Sequence, residues 1–144
     1  MISALLEDSL GFNISRAGLL VRRELMRALA EYKMTPEQWM ILISLWSTGT
    51  PLNQSEIVQL TLKDKHTVSR IIQRLERDGW IKKKADPNDA RVTVIQLTKK
   101  GISFKDEVPA TLYEHFDKIL KDFDDHEIES LIKSLKKLRS ILGD

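Results

Sequence analysis

Two short amphipathic helices joined by very few residues are the feature that most restricts how this chain can fold. The sequence pattern predicts one helix over about 53–60 and a second over 64–79, with Asp64 as its cap and Gly79 as its stop. Asp before the first turn and Gly after the last turn are typical helix-end signals. Only residues 61–63 connect the two helices. So short a connection leaves the second helix projecting from the protein, because the first packs behind it.

The second helix has two chemically different faces. At 100° per residue, Val68, Ile72 and Leu75 fall in one narrow arc with Ile71, and that arc must face a core. The opposite arc, including its flanks, carries polar and basic side chains: His66, Thr67, Ser69, Arg70, Gln73, Arg74 and Arg77. Arginine can donate two hydrogen bonds to guanine, and glutamine can pair with adenine. The face is therefore typical of a helix that reads DNA; an ordinary solvated face is the alternative.

A hairpin follows this helix. The alternating, β-branched runs 80–85 and 92–97 flank a turn-forming cluster, 86–89, and predict two paired strands. A two-stranded projection beside a DNA-reading helix lies over the DNA backbone, and Arg91 near its tip can reach the minor groove, whose negative potential attracts arginine. Asp89 could hold the guanidinium in place by a charge-assisted bond. The alternative is a surface ion pair, worth about 0–1 kcal/mol.

The remaining segments are helical. The pattern predicts a first helix over about 5–31, a capped helix from Thr35 to about 47, a long helical region over 98–123, and a last helix that begins after Asp124. Pro109 should kink or split the long region, because proline lacks the N–H that a helix interior needs. Both terminal helices carry an apolar stripe: Leu10, Ile14, Ala17, Val21, Leu25 and Ala28 in the first, and Ile128, Leu131, Ile132, Leu135, Leu138 and Leu142 in the last.

The order of these elements predicts a fold class: mainly α with a small β-hairpin. Helix, short turn, helix and hairpin in succession are the order of a winged helix-turn-helix. The 144 residues suffice for one domain of ordinary size.

Composition excludes several classes of function. The absence of cysteine excludes thiolate nucleophiles and thiol redox sensing. The sequence holds no Gly-rich phosphate loop, metal-ligand cluster or nucleophile–base pair, so we expect neither an enzyme nor a cofactor or metal. No apolar run is long enough for a membrane helix, and Glu7 and Asp8 do not suit a signal peptide, so we expect a cytoplasmic protein without a membrane partner.

Basic charge is concentrated in the middle of the chain. The net charge is only +2, yet eight Lys or Arg residues and only three acids lie between Lys63 and Lys84. A local basic bias favours a polyanion at one face of the molecule, although a solvated charged surface also fits.

The hairpin and the helix before it resemble one known family. Asp89-x-Arg91, followed after five residues by Leu97-Thr98, matches the D-x-R-x5-L-T wing signature of the MarR family of bacterial transcriptional regulators. The upstream run resembles that family's helix-turn-helix through Thr67, Arg70, Leu75, Glu76 and Gly79. Length and helix order also fit, so the resemblance covers nearly the whole chain.

The resemblance implies a DNA-binding homodimer, which we expect to act as a repressor. Residues 1–34 and 99–144 would provide the dimerisation helices, and 35–98 would form the winged helix-turn-helix lobe. Each subunit would place one recognition helix in the major groove of a pseudo-palindromic double-stranded operator, and Arg91 would match the family's minor-groove arginine. The expected DNA-binding residues are Lys65, His66, Thr67, Ser69, Arg70, Gln73, Arg74, Arg77, Lys84, Asp89 and Arg91.

Many members of the family are released from DNA by a small aromatic effector. A pocket here would lie where the first, second and fifth helices meet, near Tyr32, Trp39, Trp46, Tyr113, His115 and Phe116, and Arg16 or Arg23 could attract a carboxylate. The two tryptophans also fit an ordinary core, so no ligand residues are assigned. The zinc-sensing branch is not favoured, because only His115 lies on the long helix and no second His follows one turn away.

One other class of function competes with DNA binding. A winged helix can also serve as a protein–protein interaction module, with the same helix face covered by a partner chain. The response to salt distinguishes the two, because DNA binding weakens steeply as salt rises.

Overall fold

The computed structural model describes residues 6–144, so the predicted helix start at residue 5 lies outside the described residues. The chain up to Leu112 forms one compact unit, and Tyr113–Asp144 form a second. No helix within residues 6–144 is both long enough and apolar enough to cross a membrane.

Seven helices and three strands are described. The helices are α1 (Leu10–Leu29), α2 (Pro36–Thr48), α3 (Gln54–Thr61), α4 (Lys65–Arg77), α5 (Lys99–Ser103), α6 (Glu107–Ile119) and α7 (Asp125–Ile141). The strands are β1 (Leu52–Asn53), β2 (Ile81–Ala85) and β3 (Thr93–Leu97), and a short 3₁₀ turn, Ala30–Tyr32, follows α1. The mainly helical, winged helix-turn-helix fold is confirmed.

The predicted hairpin is part of a three-stranded antiparallel sheet in the order β1-β3-β2. Ile81 pairs with Leu97 and Ala85 with Thr93, which sets the register of the wing. The additional strand, β1, pairs Leu52 with Ile95. Two residues are too few to show the alternation that identifies a strand in a sequence.

Capping residues begin α2, α3, α4 and α7 where the sequence predicts. The predicted first helix is instead broken at residues 8–9, and α1 begins at Leu10 because the Ser9 side chain accepts from the Phe12 backbone N–H. Thr35 accepts a hydrogen bond from the Gln38 backbone N–H (3.2 Å), and the Gln38 side chain accepts one from the Thr35 backbone N–H (2.9 Å). Asp124 and Glu127 form the same reciprocal pair at the start of α7. These bonds satisfy backbone donors that a helix start otherwise leaves without partners.

The predicted long helix after Thr98 is interrupted, but not at Pro109. The break lies between Ser103 and Glu107, where Phe104 packs edge-on against Tyr32 and Trp80, with ring centroids 6.1 and 5.1 Å apart. Pro109 falls in the first turn of α6. A proline there removes no hydrogen bond, because first-turn N–H groups have no partner within the helix.

The core of the first unit joins α1 and α2 to the helix-turn-helix. Its largest fully buried side chains include Leu29 of α1, Ile41 and Leu42 of α2, Ile57 of α3 and Leu75 of α4. This packing holds α4 against the lobe by one side only. The opposite side is left to solvent.

Glu37 at the start of α2 provides an ionic link between α1 and the turn before α4. It accepts two hydrogen bonds from Arg22 of α1 (2.7 and 3.1 Å), and the ammonium of Lys63 lies 3.8 Å away. Burial raises the pKa of the Glu37 carboxyl, but the hydrogen bonds from Arg22 and from the backbone, together with the charges of Arg22 and Lys63, lower it by more, so the net pKa lies below its ordinary value.

We predict that Glu37→Gln lowers the free energy of unfolding by about 1–2 kcal/mol at pH 7, because Arg22 loses a charged acceptor while staying half-exposed. The pKa of Glu37 is lower in the folded state, so its contribution is present above the ordinary glutamate pKa and is lost as pH falls through the folded value. Denaturant unfolding at pH 7 and pH 3 measures both effects. If the variant and the wild type differ in free energy of unfolding by the same amount at pH 7 and at pH 3, this role of Glu37 is contradicted.

Candidate nucleic-acid interface

Helix α4 is oriented as its sequence pattern predicts. Val68 and Leu75 are completely buried and Ile72 is nearly so. The polar and basic side chains expected on the opposite face are exposed, or half-exposed at Thr67 and Ser69: Lys65, His66, Thr67, Ser69, Arg70, Gln73, Arg74 and Arg77. Arg70 and Gln73 therefore project from the protein at neighbouring positions of the helix, where both could reach base edges.

Asp64 occupies the start of α4. One of its oxygens accepts the Thr67 backbone N–H (2.9 Å), and the other accepts the Thr67 hydroxyl (2.8 Å). The bonds from the Thr67 backbone and then from its hydroxyl keep the pKa of Asp64 below its ordinary value. The hydroxyl proton of Thr67 is thus already donated within the protein, although its oxygen can still accept.

Gln54 is a neighbour of the exposed polar face of α4, and no motif in the sequence indicates it. From the first turn of α3, its amide nitrogen donates to the Ser69 hydroxyl oxygen (2.9 Å) and to the Lys65 carbonyl (3.2 Å). These bonds fix the side chain of Ser69 and tie the two helices of the helix-turn-helix together. Ser69 remains able to donate its own hydroxyl proton outward.

The base of the wing lies beside α4. A groove of about 200 Å³ is lined by Gln54, Ser69 and Gln73 on one side and by Lys83 and Thr93 of the wing on the other. The ammonium of Lys83 lies 3.7 Å from the carboxylate of Glu76 on α4. Side chains alternate along a strand, so Lys84, the predicted contact, projects from the opposite face of β2.

The guanidinium of Arg91 is held at the wing tip. Its Nε and one terminal nitrogen donate to the two carboxylate oxygens of Asp89, at 3.0 and 3.1 Å, and its backbone N–H also donates to Asp89. The Arg91 side chain is nevertheless 90% exposed. The predicted pairing of Asp89 with Arg91 is confirmed, and it leaves the paired cation facing outward.

The aromatic residues considered for a ligand pocket are divided between the two units. In the first unit, Trp39 and Trp46 pack against each other with ring centroids 6.2 Å apart, and Trp46 donates to the Gly101 carbonyl (2.8 Å). Tyr32 hydrogen-bonds Thr111 (2.8 Å). These three residues pack against the core, whereas Tyr113 in the second unit is exposed. In residues 6–144, no three His, Asp or Glu side chains are grouped to hold a metal.

Comparison with known proteins identifies the family. Residues 34–93 match the model of the MarR family. The chain is 30% identical over 132 residues to the HTH-type transcriptional regulator PecS of Dickeya dadantii (strain 3937), covering 90% of this chain and 75% of PecS. The chain belongs to the MarR family. It is therefore a transcriptional regulator and not an enzyme.

Solved structures of MarR-like regulators share the fold. The MepR–DNA complex of S. aureus superposes with a TM-score of 0.80 at 23% identity, covering 93% of this chain and 98% of MepR. CouR of Rhodococcus jostii RHA1, bound to p-coumaroyl-CoA, gives a TM-score of 0.82 at 21% identity, covering 92% of this chain and 93% of CouR.

We predict that Asp89→Asn loosens the Arg91 side chain, because a neutral amide cannot hold the guanidinium by charge. The ¹⁵N order parameter of Arg91 Nε should fall to a value typical of flexible groups, below about 0.6. Arg91 lowers the pKa of Asp89, so in the wild type the same loosening should occur only when pH falls below the ordinary aspartate range. Exposed Arg70 is the matched control and should not respond. An unchanged Arg91 signal in the variant would show that the pair does not restrict the side chain.

Proposed function

We propose that this MarR-family regulator is a sequence-specific repressor that binds double-stranded operator DNA as a homodimer. One observation carries the proposal: the Arg70 and Gln73 face of α4 is free, and beside it the wing presents a cation held by Asp89. In this arrangement α4 enters a major groove and Arg91 enters the adjacent minor groove. MepR, which has the same fold, forms a complex with DNA, and this supports DNA binding as the function.

Each side chain has a definite part in the proposed complex. Arg70 and Gln73 read base edges, since both can form paired hydrogen bonds that distinguish one base from another. Lys65, Arg74, Arg77 and Lys84 neutralise phosphates, which fix the position of the protein but do not read sequence. His66, Thr67 and Ser69 lie at the start of α4, closest to the groove floor. Asp89 holds Arg91 ready for insertion, so less side-chain freedom is lost when DNA binds.

The dimer is proposed from apolar side chains that the single chain leaves exposed. Leu10 and Val21 on α1 are 66% and 53% exposed, and Leu131 and Ile132 on α7 are 52% and 46% exposed. Stripes of this kind on a monomer mark an interaction surface. A second copy that covers both stripes would repeat α4 about a twofold axis, and the operator would then be pseudo-palindromic.

We also propose a small aromatic effector that releases the operator. CouR, a neighbour in fold, binds p-coumaroyl-CoA, which contains a phenolic group. An effector that binds one spacing of the two recognition helices better than another would shift the dimer between DNA-binding and released states. A winged-helix protein–protein module remains the rival function, and it predicts binding with little dependence on salt.

The test of DNA binding begins with selection of bound fragments from random duplexes, followed by titration of the selected operator. We predict that Arg91→Ala weakens binding about 10- to 100-fold at near-physiological salt, more than the roughly fivefold that loss of a surface ion pair could explain. Arg27→Ala, which removes another paired surface arginine on the side of α1 opposite to its apolar stripe, is the control and should bind like the wild type. Equal affinities for all three proteins would remove the wing from the interface, and the failure of the wild type to select any sequence would refute the proposed function.

We predict that Leu135→Asp converts the dimer to a monomer, because the change places a charge within the apolar stripe of α7. Sedimentation equilibrium measures the mass, and circular dichroism checks that helix content is retained. Lys133→Asp, on the opposite side of α7, matches the introduced charge and should remain dimeric. A dimer that survives Leu135→Asp would exclude this stripe as the interface.

A further inference from the structure

A second concentration of positive charge adjoins the DNA-reading face. It is an open cleft of about 370 Å³ at the C-terminal end of α4, lined among others by Lys33, Arg74, Arg77 and Lys100. We refer to it as the basic cleft. One acid, Asp78, also lines it and pairs with Arg77 at 3.3 Å. Within residues 6–144, Lys33, Arg74 and Lys100 form no ion pair, so the cleft keeps an excess of positive charge.

Lys100 is held in place before any ligand binds. Its ammonium donates a hydrogen bond to the Asp78 backbone carbonyl (2.7 Å) and lies 4.6 Å from the centroid of the Trp80 ring. An ammonium group has three donors, so others remain for an anion. A cation positioned by the protein loses less freedom on binding than a solvated lysine does.

Lys33 occupies a backbone conformation that does not favour lysine. Its φ of 52° lies in the left-handed region, where glycine and asparagine are preferred. The chain reverses there between the 3₁₀ turn and α2, and the exposed side chain makes no hydrogen bond or ion pair within the described part of the chain. The turn itself therefore does not call for a lysine, and the charge of Lys33 is left available to a ligand in the basic cleft.

The cleft is continuous with the proposed DNA interface. Arg74 and Arg77 line both the basic cleft and the groove that runs along α4 with Arg70 and Gln73. The 13 residues of α4 span about 20 Å, whereas the major groove is about 12 Å wide. When the N-terminal half of a recognition helix meets the bases, its last turns must therefore lie at the edge of the groove, where the phosphates are.

We propose that Lys33 and Lys100, together with Arg77, form a phosphate clamp for the DNA backbone that flanks the major groove read by α4. This inference rests on the proposed DNA-binding function. The clamp adds affinity without sequence preference, because phosphates are the same at every step. It also extends the contacted length of each half-site beyond the bases that α4 reads.

The test compares Lys33→Asn, Lys100→Gln and the double variant with the wild type on the selected operator at several salt concentrations. Asparagine tolerates the left-handed backbone, so Lys33→Asn removes charge without straining the turn. Each variant should bind about 3- to 10-fold more weakly at near-physiological salt, and the slope of log K against log salt should lose about 0.9 per phosphate contact. Base preference should not change. Lys33→Arg and Lys100→Arg should restore binding, and Lys133→Gln on α7 should have no effect.

A trimmed duplex locates the contact. On DNA cut back to the bases that α4 and the wing reach, the double variant and the wild type should bind equally, since the flanking phosphates are gone. The clamp would be overturned if the double variant bound the long operator with the same affinity and the same salt slope as the wild type. If Arg91→Ala still bound more weakly in that experiment, the proposed function would stand. If the wild type binds no duplex DNA, both the clamp and the proposed function are refuted.

A free anion is the competing occupant of the cleft. Calorimetric titration with pyrophosphate at constant ionic strength, without DNA, measures it directly. Suppose that the wild type binds pyrophosphate saturably, that the double variant does not, and that the salt slope for DNA is the same in both. This result would assign the cleft to a small anion and overturn the clamp. Thermal unfolding of every variant, with midpoints close to that of the wild type, ensures that a loss of binding is not a loss of fold.

Discussion

The burial of one narrow face of α4 is the constraint on which the rest of the molecule depends. Val68, Ile72 and Leu75 enter the core of the lobe, and burying each side chain contributes about 1.5–3 kcal/mol. A rotation of the helix by even one residue would expose this face and bury arginine or glutamine in its place, which costs more than the lobe could tolerate. The positions of Arg70, Gln73 and Arg77 in space follow from that exclusion, so the side chains presented at the surface are set by the packing beneath it.

The wing needs its own anchor, because a two-stranded ribbon is only marginally stable alone. At its base, the Thr98 hydroxyl donates to the carbonyl of Gly79 and also caps α5 by accepting from the Gly101 N–H (3.1 Å). Gly101 must lack a side chain, since a Cβ there would clash with the Trp80 carbonyl. The Leu-Thr end of the wing signature is thus a structural joint, whereas its Asp-x-Arg end projects into solvent. One short motif therefore combines a fixed base with an exposed tip.

Much of this could be predicted from sequence, for reasons that differ between elements. The faces of α4 follow from a regular period over 13 residues, and the wing follows from its turn cluster and strand runs. The hydrogen bond from Gln54 to Ser69 depends on how two helices cross, which no local pattern records. The break at Phe104 depends on contacts with Tyr32 and Trp80, which are distant in sequence. The sequence therefore predicts the break at Pro109 instead. The sequence does not predict Lys33 and Lys100 as part of the basic surface, because they lie outside the helix-turn-helix. Only the fold brings them close to Arg74 and Arg77 of α4.

The α4 face and the basic cleft would set the affinity for DNA, whereas the ionic link at Glu37 concerns how α1 is held against α2. In the proposed complex, Arg74, Arg77 and the wing lysines attract DNA of any sequence, while Arg70 and Gln73 distinguish one sequence from another. Glu37 takes no part in either, yet it joins Arg22 on α1 to the region of Lys63 in the turn before α4. Because α1 belongs to the proposed dimer surface and Glu37 belongs to α2, a displacement of α1 relative to α2 must break two charged hydrogen bonds. Loss of these two bonds costs about 1–2 kcal/mol, so the link opposes displacement of α1 from α2 and favours the arrangement in which Arg22 and Glu37 are paired.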